Sequence, residues 1–168
     1  MSQQGGGPRL AGFGLALVVL AADQASKYWV LHGLHLQDGH LLTLLPVLNF
    51  VLVWNHCVTF GMFNGPGAFN WIVLALIALA VVSFLGVWLW RTRKLFNILA
   101  IGAIMGGATG NVIDRLRFGA VVDFILAHLG AWQFYVFNVG DSAIVCGVIA
   151  LMAESLLRRD TGGDRKAA

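Results

Sequence analysis

The sequence predicts an all-α membrane protein of four transmembrane helices with a small sheet on its extracytoplasmic surface. Three observations predict it. Mean hydropathy is +0.79, too high for a soluble fold of 168 residues. Four apolar runs each approach the ~20 residues needed to cross a ~30 Å hydrocarbon core. Between the first two runs lies a segment too long for a turn and too apolar for a disordered loop. A chain of this length makes one domain.

The spans fall at about 10–31, 68–90, 95–113 and 134–157. The first is interrupted by Asp23 and Lys27. Arg9, the apolar stretch and Ala21-Ala22 imitate a signal peptide, but Leu20 occupies the position where cleavage wants a small residue. The run therefore reads as an uncleaved helix. Arg9, Arg91, Arg93, Lys94, Arg158, Arg159, Arg165 and Lys166 all fall in the tails or the mid-chain connection. That asymmetry places both termini and the connection in the cytoplasm and leaves 32–67 and 115–133 outside. Trp29, Trp54, Trp71, Trp132 and Tyr135 then map near the outer boundary and Trp88 and Trp90 near the inner one, as an aromatic belt. Tails 1–8 and 160–168 read as disordered.

Within the first outer segment, Phe50-Val51-Leu52-Val53-Trp54 has the β-branched and aromatic content of a strand. Asn64-Gly65-Pro66-Gly67 signals a turn before the second span. In the third span Gly102, Gly106 and Gly110 recur every fourth residue, a spacing that lets helix backbones approach closely in lipid.

Function classes narrow quickly. The net charge of +3 is laid out as topology, and no basic residues interleave with stacking aromatics, so nucleic acid is excluded as a partner. Cys57 and Cys146 have no zinc-type spacing and read as free, buried residues. His32, His35 and His40 fit no metal-binding helix face and read as interfacial, so no metal or other cofactor is expected. Ser26, Ser83, Ser142 and Ser155 lack a nucleophile-elbow context.

The acids carry the signal. Only 11% of residues are charged, yet Asp123 and Asp141 each follow an apolar or aromatic run. A carboxylate in or beside a bilayer costs roughly 3 kcal/mol on insertion scales, so it usually has a task. Two that flank one short connection can meet at one depth, where a carboxylate pair suffices for acid/base hydrolysis. Asp23 and Lys27 stand four apart, acid first, as an ion pair anchoring the outer end of the first helix. Asn111, Asp114 and Arg115 share one face at the end of the third span, either as site support or as a boundary anchor. Asn138 and Asp141 lie one helical turn apart at the start of the fourth.

These residues carry a resemblance. Asp23-Gln24-Ala25-Ser26-Lys27, Trp54-Asn55, Gly106-Gly107-Ala108-Thr109-Gly110-Asn111-Val112-Ile113-Asp114-Arg115, Val121-Val122-Asp123-Phe124 and Phe137-Asn138-Val139-Gly140-Asp141-Ser142-Ala143 occur in order over nearly the whole chain. In them the sequence resembles bacterial lipoprotein signal peptidase, the signal peptidase II family of intramembrane aspartic proteases. The resemblance implies four transmembrane helices, an outward-facing site, and a β-rich cradle plus a short helix from the first outer loop. It implies Asp123 and Asp141 as the catalytic pair. Asn55, Asn111, Arg115 and Asn138 would bind substrate or support the site, with Asp23, Lys27 and Asp114 as structural polar support. The implied substrate is a prolipoprotein whose cysteine carries a diacylglyceryl group, cut just before that cysteine without metal or nucleotide. The implied setting is the bacterial inner membrane, with membrane lipids around a monomer. Two positions depart from the family pattern: Cys57 and Gly140 stand where Gly and Ala are usual. Gly140 is expected to add backbone freedom beside Asp141.

Two rivals use the same polar residues. A proton-coupled transporter would hold its acids near the bilayer midplane, and an assembly subunit would use them only to pair helices.

Overall fold

A computed structural model describes residues 7–34, 36, 41–56, 69–130 and 132–163. Its elements run α1 (Gly7–His32), β1 (Leu42–Leu45), β2 (Leu48–Asn55), α2 (Phe69–Arg91), α3 (Leu95–Phe118), β3 (Val121–Leu129), β4 (Trp132–Phe137) and α4 (Val139–Gly163). All four helices are long and apolar enough to cross a membrane. At 1.5 Å per residue, the 23 residues of α2 reach about 35 Å, enough for the hydrocarbon core.

α3 is the hub and packs against α1, α2 and α4. Its glycines explain why. A Cβ on Gly102 would strike the Gly12 carbonyl, one on Gly106 the Ala16 carbonyl, and one on Gly107 the Gly140 carbonyl. Backbones that close leave no room for a methyl, so the small-residue stripe brings α1 and α4 onto α3 as expected. Leu85, Leu89, Ile98, Ile101, Ile104 and Met105 fill the space between the helices. At one end of the bundle, Lys94 Nζ meets Glu154 Oε1 at 2.6 Å and the Arg9 guanidinium lies over the Trp90 ring at 4.9 Å. The start of α1, the end of α2, the start of α3 and the late part of α4 therefore share that end.

The other end carries the sheet, antiparallel throughout in the order β1-β2-β3-β4. Phe50–Trp54 lies within β2, as its composition predicts. Register pairs Val53 with Asp123 and Asn55 with Val121, which brings the end of β2 beside the start of β3. Val30 of α1 packs with Leu52, Val122 and Phe124, seating the sheet on the bundle.

Several expectations are corrected. The sheet draws half its strands from the connection between α3 and α4, where the sequence suggests only an outer segment. Residues 134–137 are strand, not helix. Phe134-Tyr135-Val136-Phe137 is as β-prone as it is apolar, and it pairs with β3 before the helix begins. The third helix runs to Phe118, past 113, and ends on Gly119 at φ 70, where a side chain would be strained. α1 already includes Gly7 and Pro8, and α4 continues to Gly163, so the ordered helices reach into both predicted tails. Proline suits a first helical turn, where its missing N–H has no partner to lose. Cys146 is free but exposed, because it faces outward from α4 and not toward α3. Cys57, His35, His40 and the Asn64–Gly67 turn lie outside the described residues, and no helix is found among the described residues between α1 and α2.

Candidate active site

Asp123 arrives on a strand and Asp141 on a helix. Side chains alternate along β3, so Val122 and Phe124 enter the core and Asp123 points the other way. Asp123 is nonetheless only 1% exposed. Asparagine amides hold both of its oxygens: Asn138 Nδ2 donates to Oδ1 at 2.7 Å and Asn55 Nδ2 to Oδ2 at 2.8 Å. Asn55 Nδ2 also donates to the Tyr135 hydroxyl at 3.0 Å.

Asp141 sits in the first turn of α4, where Asn138 caps the helix. Asn138 Oδ1 accepts the Asp141 N–H at 2.8 Å, and Asp141 Oδ2 accepts the Asn138 N–H at 3.4 Å. That reciprocal pair is a capping box, the local reason the helix starts here. Asp141 Oδ1 accepts from Asn111 Nδ2 at 2.8 Å. Asn138 is thus the hinge of the site, bonded to both acids and, at 3.2 Å, to Asn111 Oδ1.

Behind the amides lies a buried ion cluster. Lys27 Nζ donates to Asp23 Oδ2 at 2.7 Å, Asp114 Oδ2 at 2.8 Å and Asn111 Oδ1 at 3.0 Å. Asp23 Oδ1 accepts the Gly140 N–H at 2.8 Å, tying α1 to α4. Asp114 accepts from Gln24 Nε2 at 2.9 Å and from the Val122 N–H at 3.2 Å, tying α3 to α1 and β3. Buried charges cost several kcal/mol each unless fully partnered, and these are. The i,i+4 pair read from the sequence is therefore real but larger than a two-residue anchor.

Arg115 follows Asp114 at the same end of α3. Its guanidinium lies within electrostatic reach of Asp141, Asp123 and Asp114, but among the described residues it grips no carboxylate. It donates instead to the Asn111 carbonyl at 3.3 Å.

Burial pushes the Asp123 carboxyl up to about 6. The Asn55 hydrogen bond opposes the rise, the neighbouring Asp141 charge adds to it, and Asn138 and the Lys27 charge oppose it. Two carboxyls that feel each other's charge can share one proton. Among the described residues no group of three His, Cys, Asp or Glu side chains is placed to hold a metal.

Asp123, Asp141, Asn55, Asn111 and Asn138 therefore converge, with Asp23, Lys27 and Asp114 directly behind. Gln24, Tyr135 and the Gly140 N–H were missed. Gln24 is polar within an apolar helix and follows Asp23, which was a usable signal. Tyr135 was masked by its aromatic neighbours. Gly140 has ordinary helical φ, so freedom is not its use. A Cβ there would stand 3.0 Å from Asp23 Oδ1 and from the Gly107 carbonyl, so its use is space.

Comparison with known proteins decides the family. The sequence model for signal peptidase (SPase) II matches residues 15–157. This chain belongs to the signal peptidase II family. It is a multi-span membrane peptidase by that membership. It is 45% identical over 140 residues to the lipoprotein signal peptidase of Methylorubrum extorquens (strain PA1), covering 83% of this chain and 82% of the relative. Against the lipoprotein signal peptidase of Rhodopseudomonas palustris (strain ATCC BAA-98 / CGA009), identity is 42% over 146 residues, with 84% and 88% covered. The fold is also similar to a bacterial membrane enzyme solved by the in meso method at 2.3 Å resolution. That match has a TM-score of 0.72 and 27% identity, with 90% of each chain covered.

Proposed function

We propose that this chain is an aspartic endopeptidase that removes the signal peptide from diacylglyceryl-modified prolipoproteins, cutting just before the lipidated cysteine. The observation that carries the reading is the linkage of Asp123 and Asp141 through Asn138 at the sheet end of the bundle. Family membership supports the substrate class.

Asp123, with its raised affinity for a proton, is the protonated member. Asp141 lies in the first turn of α4, where the partial positive charge of the helix N-terminus favours an anion. Asp141 takes a proton from water as the water oxygen attacks the scissile carbonyl. Asp123 gives its proton to the developing oxyanion. The tetrahedral intermediate then collapses: Asp123 takes a proton back from one hydroxyl, the C–N bond breaks, and the proton on Asp141 passes to the departing amine. The substrate must be extended to react, and the sheet offers edges on which it can lie as an added strand.

The site faces the periplasm or cell exterior of a bacterial inner membrane, with both termini cytoplasmic and the enzyme acting as a monomer among lipids. The basic residues gathered at the end opposite the sheet support that orientation. A transporter is disfavoured by the acids, which cluster where helices meet the sheet and not at mid-helix.

Incubating purified protein in detergent with a lipidated prolipoprotein tests the reading. A shift to the shorter, lipid-bearing product is expected. Asp123→Asn and Asp141→Asn are each expected to abolish cleavage while leaving thermal stability near wild type. Substantial activity in either variant would sink the aspartic mechanism.

A further inference from the structure

We infer that Lys27 is a positioning residue for the dyad, acting through the Asn111 side chain to present that amide's NH2 group to Asp141. The inference rests on the aspartic reading above and adds to it how the site is kept in register.

A carboxamide has two ends of nearly equal size, one a donor and one an acceptor. If Asn111 turned over, its oxygen would face the Asp141 carboxylate, acceptor against acceptor. Its orientation is therefore set by whatever holds the oxygen end. Asn138 has a backbone group for this, since the Asp141 N–H holds its oxygen at 2.8 Å. Among the described residues the Asn111 oxygen has only side chains: Lys27 Nζ at 3.0 Å and Asn138 Nδ2 at 3.2 Å. The ammonium is the nearer donor and the charged one, and charge-assisted bonds are about twice as strong as neutral ones.

Lys27 cannot touch substrate itself, being 2% exposed and held by side chains of α1 and α3. Its three protons go to Asp23, Asp114 and Asn111, so its donors are fully spent and its geometry is fixed. The charged and titratable groups gathered here are Asp23 on the same helix, Asp114 and Arg115 on α3, Asp123 on β3 and Asp141 on α4. Lys27 is the cation that contacts the Asn111 oxygen. Asp23 and Asp114 act as its clamps, holding the ammonium where Asn111 needs it.

A double-mutant cycle between Lys27→Met and Asn111→Leu, assayed on lipidated prolipoprotein with Asp123→Asn alongside, tests this. Lys27→Met is expected to lower kcat about ten- to hundredfold, the size of a lost charge-assisted hydrogen bond, with KM nearly unchanged. Asn111→Leu keeps both Lys27 ion pairs. In its presence, Lys27→Met is expected to cost little more. Lys27→Met alone strands two carboxylates, so both Lys27→Met corners are also made with Asp23→Asn and Asp114→Asn added, which leaves that cluster without charge. Wild-type kcat in folded Lys27→Met enzyme, or losses that multiply across the cycle, would overturn the inference. Cleavage by Asp123→Asn would instead overturn the aspartic reading on which it stands.

Discussion

Asp123 is a buried carboxyl, and its titration follows from that burial. Burial raises it to about 6, so its protonated form is the one the fold favours. In the free enzyme kcat/KM is expected to fall on the alkaline side with a midpoint near this value, as the proposed general acid is lost. The sign for stability runs the same way. A raised carboxyl contributes stability that is full below its unfolded value of 3.8 and is lost as pH rises through about 6. Between roughly pH 7 and 5 the wild type therefore gains about 1 kcal/mol over Asp123→Asn. Thermal scans of both proteins at the two pH values check it, and parallel melting curves would refute it. Asp123 was legible in the sequence because valine, phenylalanine and isoleucine surround it. The chain pattern could not show that the Asn138 side chain, bonded to Asn111, Asp123 and Asp141, joins the two acids, since those contacts depend on tertiary placement.

The elements divide into those whose sequence names their type and those where two types compete. β2 and the third helix were readable, one from β-branched and aromatic content, the other from length and its glycine stripe. Residues 134–137 were not, because an apolar aromatic tetrapeptide fits either a span or a buried strand until its pairing with β3 is known. The Asn138–Asp141 capping box marks the true start of α4 and was visible as a polar pair one turn apart. The glycine stripe gives a direct test. Gly106→Val places side-chain atoms against the Ala16 carbonyl of α1 and must push that helix away. A loss of about 1–3 kcal/mol, typical of overpacking, is expected, with reduced activity because α1 carries Asp23 and Lys27. Gly86→Ala is the control, since its Cβ would meet only Met105 Cε at 3.7 Å. It is expected to hold or slightly raise the melting temperature, as alanine favours helix. Equal melting of the two variants would mean that α1 and α3 are not closely packed through Gly106.

At the scale of the whole molecule, the arrangement follows from two separate requirements. Polar residues cluster where the helices meet the sheet, so that strands from two different connections can bring Asn55 and Asp123 to Asn111, Asn138 and Asp141. Basic residues cluster at the opposite end, where Lys94 pairs with Glu154 and Arg9 covers Trp90. The positive-inside rule orients such a molecule with the basic end in the cytoplasm. Single cysteines at Gly5, Asp38 and Asp164, placed in a chain with Cys57 and Cys146 replaced, provide the test. All three positions lie outside the described residues. Asp38 falls in the connection that leads into the sheet, and the other two precede α1 and follow α4. A membrane-impermeant thiol reagent added to intact cells, with the outer membrane permeabilised, is expected to label position 38 alone. Labelling of 5 and 164 should appear only after the inner membrane is opened. Reagent reaching position 5 or 164 in sealed cells would invert the molecule and put the acid pair on the cytoplasmic side. The lipidated substrate proposed above, exported to the outer surface, could then never meet the acid pair.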